Sequence, residues 1–79
     1  MSVEELASMR AEALFVSDLQ RSDVLNADRV RAAVSENVRR YGVRGLAARV
    51  AEEYGEHPET AVGRMCWCLG TVEFAYARV

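Results

Sequence analysis

The stretch Pro58–Val79, PETAVGRMCWCLGTVEFAYARV, decides how the rest of this chain is read. Pro58 suits the first helical position, where its fixed φ helps and its missing N–H costs nothing, and Glu59 sets a negative charge at the positive helix end. Val62, Met65, Leu69, Val72, Tyr76 and Val79 then recur at steps of three and four, so one stripe of a 3.6-residue helix is apolar and is assigned to a core. At about 1.5 Å per residue, a helix over 58–78 is a rod of about 30 Å, long enough to cross a small domain.

A second stripe on the same helix, Gly63, Trp67, Gly70 and Phe74, alternates glycine with large aromatics. Each glycine weakens a helix by about 0.8–1 kcal/mol relative to alanine, so close packing is expected to offset the loss. Two roles are open for this stripe. The chain's own bundle surrounds the helix and buries both stripes, or one stripe meets a second copy or another protein, with Trp67 and Phe74 as its anchors.

Working back from this helix, shorter amphipathic segments precede it. Ser2 and Glu5 form a capping box, and Leu6, Met9, Ala13 and Val16 follow the helical period, which predicts a first helix over 3–19. Asn26 is an N-cap for a second helix over 27–41, with Val30, Ala33, Val34, Asn37, Val38 and Tyr41 inward and Gly42 as its left-handed C-cap. A third helix over 44–54 carries Leu46, Ala47, Val50, Ala51 and Tyr54 on one face and is closed by Gly55. With short connections, the expected fold is all-α: a compact bundle of four helices forming one domain over 1–79.

Size and composition narrow the function. A core of 79 residues stands near the limit of independent stability, and a composition that is 51% hydrophobic supplies the material for oligomerisation; a homodimer is expected. All ten basic residues are arginine, whose guanidinium groups form forked bonds and tolerate partial burial better than ammonium groups. Charge is uneven: residues 29–49 hold six arginines against Glu36 alone, between two acidic flanks. This basic island is expected to sit between acidic neighbours within the bundle, or to meet an anionic partner.

Cys66 and Cys68 point to different sides of a helix and cannot bridge each other, so both are read as small, partly buried hydrophobes in a reducing compartment. The sequence has no leader-like start and no apolar run approaching 18 residues, so a soluble cytoplasmic protein without membrane contact is expected.

Signals of chemistry are sparse. His57 has no carboxylate, thiol or hydroxyl at a recognisable catalytic spacing and is assigned to helix entry, while Glu52, Glu53, Glu56 and Glu59 read as a solvated acidic corner near Arg39, Arg40 or Arg44. No phosphate loop, nucleophile elbow or metal-ligand helix is present, so neither catalysis nor a cofactor or metal is expected. The segment Leu46–Met65 is similar to a helix-turn-helix motif, with Gly55 at the turn position. Glu56 stands where an apolar residue is usual, Val62 falls one position late, and Glu56 and Glu59 would turn carboxylates toward phosphates. If residues 44–65 did bind DNA, Arg44, Arg49 and Arg64 would be the phosphate contacts.

Glu12-Ala13-Leu14-Phe15, Leu19-Gln20-Arg21-Ser22-Asp23, His57-Pro58-Glu59, Arg64-Met65 and Trp67 together resemble a group of small bacterial helical proteins of uncharacterised function. The likeness covers most of the chain and implies a bacterial cytoplasmic protein; it supplies no activity and no functional residues. Cys66 and Cys68 depart from it, since more polar or charged neighbours of Trp67 would be expected there.

These features favour a protein-interaction or regulatory module, homodimeric and binding another cytoplasmic protein through the terminal helix. Gly63, Trp67, Gly70 and Phe74 would make the contact, and Arg39, Arg40 and Arg44 would offer a rim selective for acidic partners. A helix-turn-helix-like transcriptional DNA-binding domain is the alternative.

Overall fold

The computed structural model describes residues 1–77. The elements are α1 (Val3–Phe15), α2 (Ala27–Glu56) and α3 (Pro58–Ala75), and the described residues contain no strand. The all-α class therefore holds, with three helices in place of the expected four.

The difference lies at Gly42. Its φ of 68° and ψ of 172° break the helical course, as a C-capping glycine should. The chain re-enters helix directly, so the segments expected over 27–41 and 44–54 become two arms of one bent element. A straight helix of 30 residues would measure about 45 Å. The longest extent of the whole molecule is 37 Å, so the arms are angled to each other.

Helix ends follow local chemistry. Ser2 and Glu5 make the reciprocal capping box at α1, with Glu5 N donating to Ser2 Oγ at 3.1 Å and Ser2 N to Glu5 Oε1 at 3.3 Å. Asn26 Oδ1 accepts from Arg29 N at 2.8 Å to start α2. The first helix stops at Phe15 rather than 19 because Ser17 competes for the helical backbone: its Oγ donates to Leu14 O at 2.6 Å and accepts from Leu19 N at 3.2 Å.

Gly55, expected to close a helix, lies inside α2. The turn falls at His57 (φ −138°, ψ 65°), because Pro58 drives the residue before it out of helical conformation. His57 N donates to Glu53 O at 2.7 Å, and His57 O accepts from Ala61 N at 2.9 Å, so this single residue ends one helix and begins the next. The last helix ends at Ala75, short of 78, and Val79 lies outside the described residues.

All three helices pack against one another around a core of modest side chains. Leu14, Leu46, Val30 and Cys68 are the largest fully buried groups, and Ala11, Ala13, Ala61 and Ala75 let the helices come close. In the second arm of α2, Leu46 and Val50 are buried and Tyr54 half-buried, but Ala47 and Ala51, expected inward, are exposed. Phe15 stacks on Tyr54 with ring centroids 6.2 Å apart.

On α3 the buried face is rotated from the one the periodicity assigned. Ala61, Cys68, Val72 and Ala75 are buried and Met65 half-buried, whereas Val62 and Leu69 are 52% and 48% exposed. Small side chains admit neighbouring helices more closely than branched ones do, and that contact prevails over the bulkier stripe.

Candidate functional site

Helix α3 is built unlike its neighbours. A helix that covers a small domain normally turns charges to water. Between Glu59 and Glu73, the only charged side chain of α3 is Arg64. Arg64 is directed inward, so Val62, Gly63, Cys66, Leu69 and Gly70 make an exposed surface without charge, continued by Phe74 at 63% exposure. Grooves run along both sides of this ridge. One, of about 490 Å³, lies against the 16–26 loop and is lined by Leu25, Trp67, Gly70 and Phe74 together with Arg21 and Asp23. The other, of about 560 Å³, lies against α1 and is lined by Val3, Leu6, Leu69, Val72 and Tyr76, with Arg10 and Glu73 at its edge.

Arg64 is held by the exposed end of another helix. Its Nε donates to Phe15 O at 2.8 Å, and one of its terminal nitrogens donates to Ser17 O at 2.9 Å and Leu14 O at 3.4 Å. The last carbonyls of a helix lack partners within it, and α1 has no basic residue in its last turn. Asn37, buried in the first arm of α2, donates Nδ2–H to Ala13 O at 3.0 Å, which satisfies the carbonyl that precedes Leu14. The end of α3 is served likewise, with Arg31 donating to Ala75 O at 2.6 Å while also paired with Asp28. The guanidinium of Arg64 also lies over the rings of Phe15 and Trp67, 5.6 and 5.5 Å from their centroids.

The sequence-predicted residues are thus only partly brought together. Gly63, Gly70 and Phe74 are exposed on one side of α3, and Trp67 is half-buried, one side held by Arg64. An ideal Cβ added at Gly63 or Gly70 meets no atom within 4 Å, so nothing among the described residues requires glycine at either position. Arg39, Arg40 and Arg44 are exposed but do not line the grooves beside these residues; the cation there is Arg21, whose guanidinium reaches Gly63 O at 3.5 Å. Arg39 pairs with Glu36 and Arg40 lies by the Tyr41 ring, so among the described residues neither meets the acidic corner of Glu52, Glu53, Glu56 and Glu59.

The three arginines assigned to a DNA surface are also separated in role. Arg64 is bonded into the core, Arg49 lies over the Tyr41 ring at 3.9 Å, and Arg44 is exposed. The one-residue joint at His57 replaces the glycine turn that the helix-turn-helix likeness required at Gly55.

Burial sets the ionisation of three groups. The Cys68 thiol is pushed up to about 11 by burial, only partly offset by Arg64. Burial also raises the Tyr76 phenol, against the opposing pull of Arg10 and Arg31; Arg10 lies 3.8 Å above its ring. Glu12, half-buried on α1, has its carboxyl raised by the same desolvation. Among the described residues no group of three His, Cys, Asp or Glu side chains is placed to hold a metal ion, and no helix is long and apolar enough to cross a membrane.

Comparison with protein-family models, with curated proteins and with solved structures finds no match. The inward arginines were missed in the sequence because no local pattern links Arg64 to Phe15 or Arg31 to Ala75, 49 and 44 residues apart. A signal was present for one of them: the first helix, whether it ends at Phe15 or at 19, has no basic residue in its last turn, in a chain with ten arginines.

Proposed function

We propose that this chain is a protein-interaction module of regulatory type, without catalytic activity, that works as a homodimer and docks another cytoplasmic protein. The outward face of α3 is its contact surface. The observation that carries this reading is the absence of any exposed charge on that face between Glu59 and Glu73, together with Val62, Leu69 and Phe74 lying open to water. Uncharged ground with an exposed aromatic is the pattern of the desolvated centre of an interface. Charged groups at its margins, Arg21 and Asp23 on one side and Arg10 and Glu73 on the other, suit a polar rim.

Light scattering over a concentration series tests the proposal. The wild-type chain should have a mass above 8.8 kDa. Phe74→Ala and Trp67→Ala should move it toward the monomer while circular dichroism shows unchanged helix content. A wild-type chain that stays monomeric, with its indole shielded from a soluble quencher, would overturn the reading.

A further inference from the structure

We infer that the outward face of α3 binds a second copy of this chain in antiparallel orientation, with exposed Phe74 and half-buried Trp67 each seating on a glycine of the other copy. The inference rests on the interaction-module reading above and adds the orientation of the two copies and the residue pairs.

The area points to a partner of this size. A monomer of 8.8 kDa exposes roughly 4,800 Å² by the surface-to-mass relation of folded proteins, whereas this chain exposes 5459 Å². The excess, about 700 Å² summed over the whole chain, is of the same order as the roughly 800 Å² that each partner contributes to a standard interface.

The order of residues on α3 selects a second copy and its direction. Glycine and aromatic alternate as Gly63, Trp67, Gly70, Phe74. Laid antiparallel about a two-fold axis at the level between Cys68 and Leu69, Gly63 falls opposite Phe74 of the other copy and Trp67 opposite Gly70. All four contacts, two in each direction, are then large against small. A parallel pair sets Phe74 on Phe74 and Trp67 on Trp67, leaving glycine against glycine as gaps. The antiparallel arrangement also places the positive end of each helix beside the negative end of the other. It gives a reason for two helix-weakening glycines that face open space within the chain.

A spin-label distance tests the register. Chains carrying Thr60→Cys, at an exposed position of α3 that leaves all four contact residues in place, and Cys66→Ser, which removes the exposed native thiol, are labelled at position 60 and the label-to-label separation is measured in the dimer. Antiparallel pairing sets the two copies of position 60 roughly 25 Å apart along the axes, whereas a parallel pair brings them level, about one helix diameter apart. Gly63→Ala and Gly70→Ala supply a second measure: each should weaken dimerisation about tenfold or more while raising the melting temperature of the dilute monomer. Labels found level with each other would overturn the antiparallel pairing but leave the interaction face standing. A wild-type chain that remains monomeric in the concentration series overturns both.

Discussion

Nε of Arg64 donates a 2.8 Å hydrogen bond to the carbonyl oxygen of Phe15, fastening the middle of α3 to the carboxyl end of α1. The same guanidinium reaches Leu14 and Ser17, so one side chain supplies the positive charge that the helix end lacks locally.

Replacing Arg64 with methionine should therefore destabilise the chain by about 3 kcal/mol, since hydrogen bonds from a charged donor are lost and half-buried carbonyls are left unmatched. For a domain of this size that is a fall of very roughly 15 °C in melting temperature. Arg64→Lys keeps the charge but not the fork, and should lie between the two. Urea unfolding checks this, and a loss below about 0.5 kcal/mol for Arg64→Met would contradict the capping role.

Two glycines in α2 should respond in opposite directions to alanine. Gly42 has φ of 68° and ψ of 172°, a conformation essentially confined to glycine, so Gly42→Ala should cost about 1–3 kcal/mol. Gly55 lies within the helix with open space around it, so Gly55→Ala should stabilise by about 0.8–1 kcal/mol. Matched thermal melts decide the point; equal shifts would mean that Gly42 does not carry the bend.

The two thiols should react very differently. Cys68 is fully buried with its thiol pushed up to about 11, while Cys66 is exposed. At pH 7.5 the folded chain, diluted until it is monomeric, should take up one equivalent of an alkylating reagent quickly, at Cys66, and a second only on unfolding. Mass spectrometry after brief labelling would show whether Cys68 is modified in the native state.

Glu12 should make the fold less stable at neutral pH than in mild acid. Its folded-state carboxyl is raised above the ordinary 4.5, so as pH rises from there the folded chain holds a proton that the unfolded chain has released. The resulting loss of stability is complete above the folded-state value. Glu12→Gln should raise the melting temperature at pH 7 and narrow the difference between pH 4.5 and 7. No change in that difference would place the pH dependence elsewhere.

What the sequence determined by itself was local. Ser2 with Glu5, Asn26 and Pro58 start helices because each satisfies or omits nearby backbone N–H groups, and Gly42 breaks the helix because only glycine takes its φ cheaply. The all-α class follows from the same short-range terms. Tertiary structure decided what depends on distant neighbours. Periodicity marks two apolar flanks on α3 but does not say which one the other helices approach; the alanines of α1 and α3 settled that, burying Ala61 and Ala75 and leaving Val62 and Leu69 open. Arginine positions carry no address, so that Arg64 serves α1 and Arg31 serves α3 became visible only once the chain brought those carbonyls within hydrogen-bond reach. Range is the physical reason: caps and turns are fixed by atoms a few residues away, whereas burial and helix-end charge are fixed by whichever surfaces the folded chain brings together.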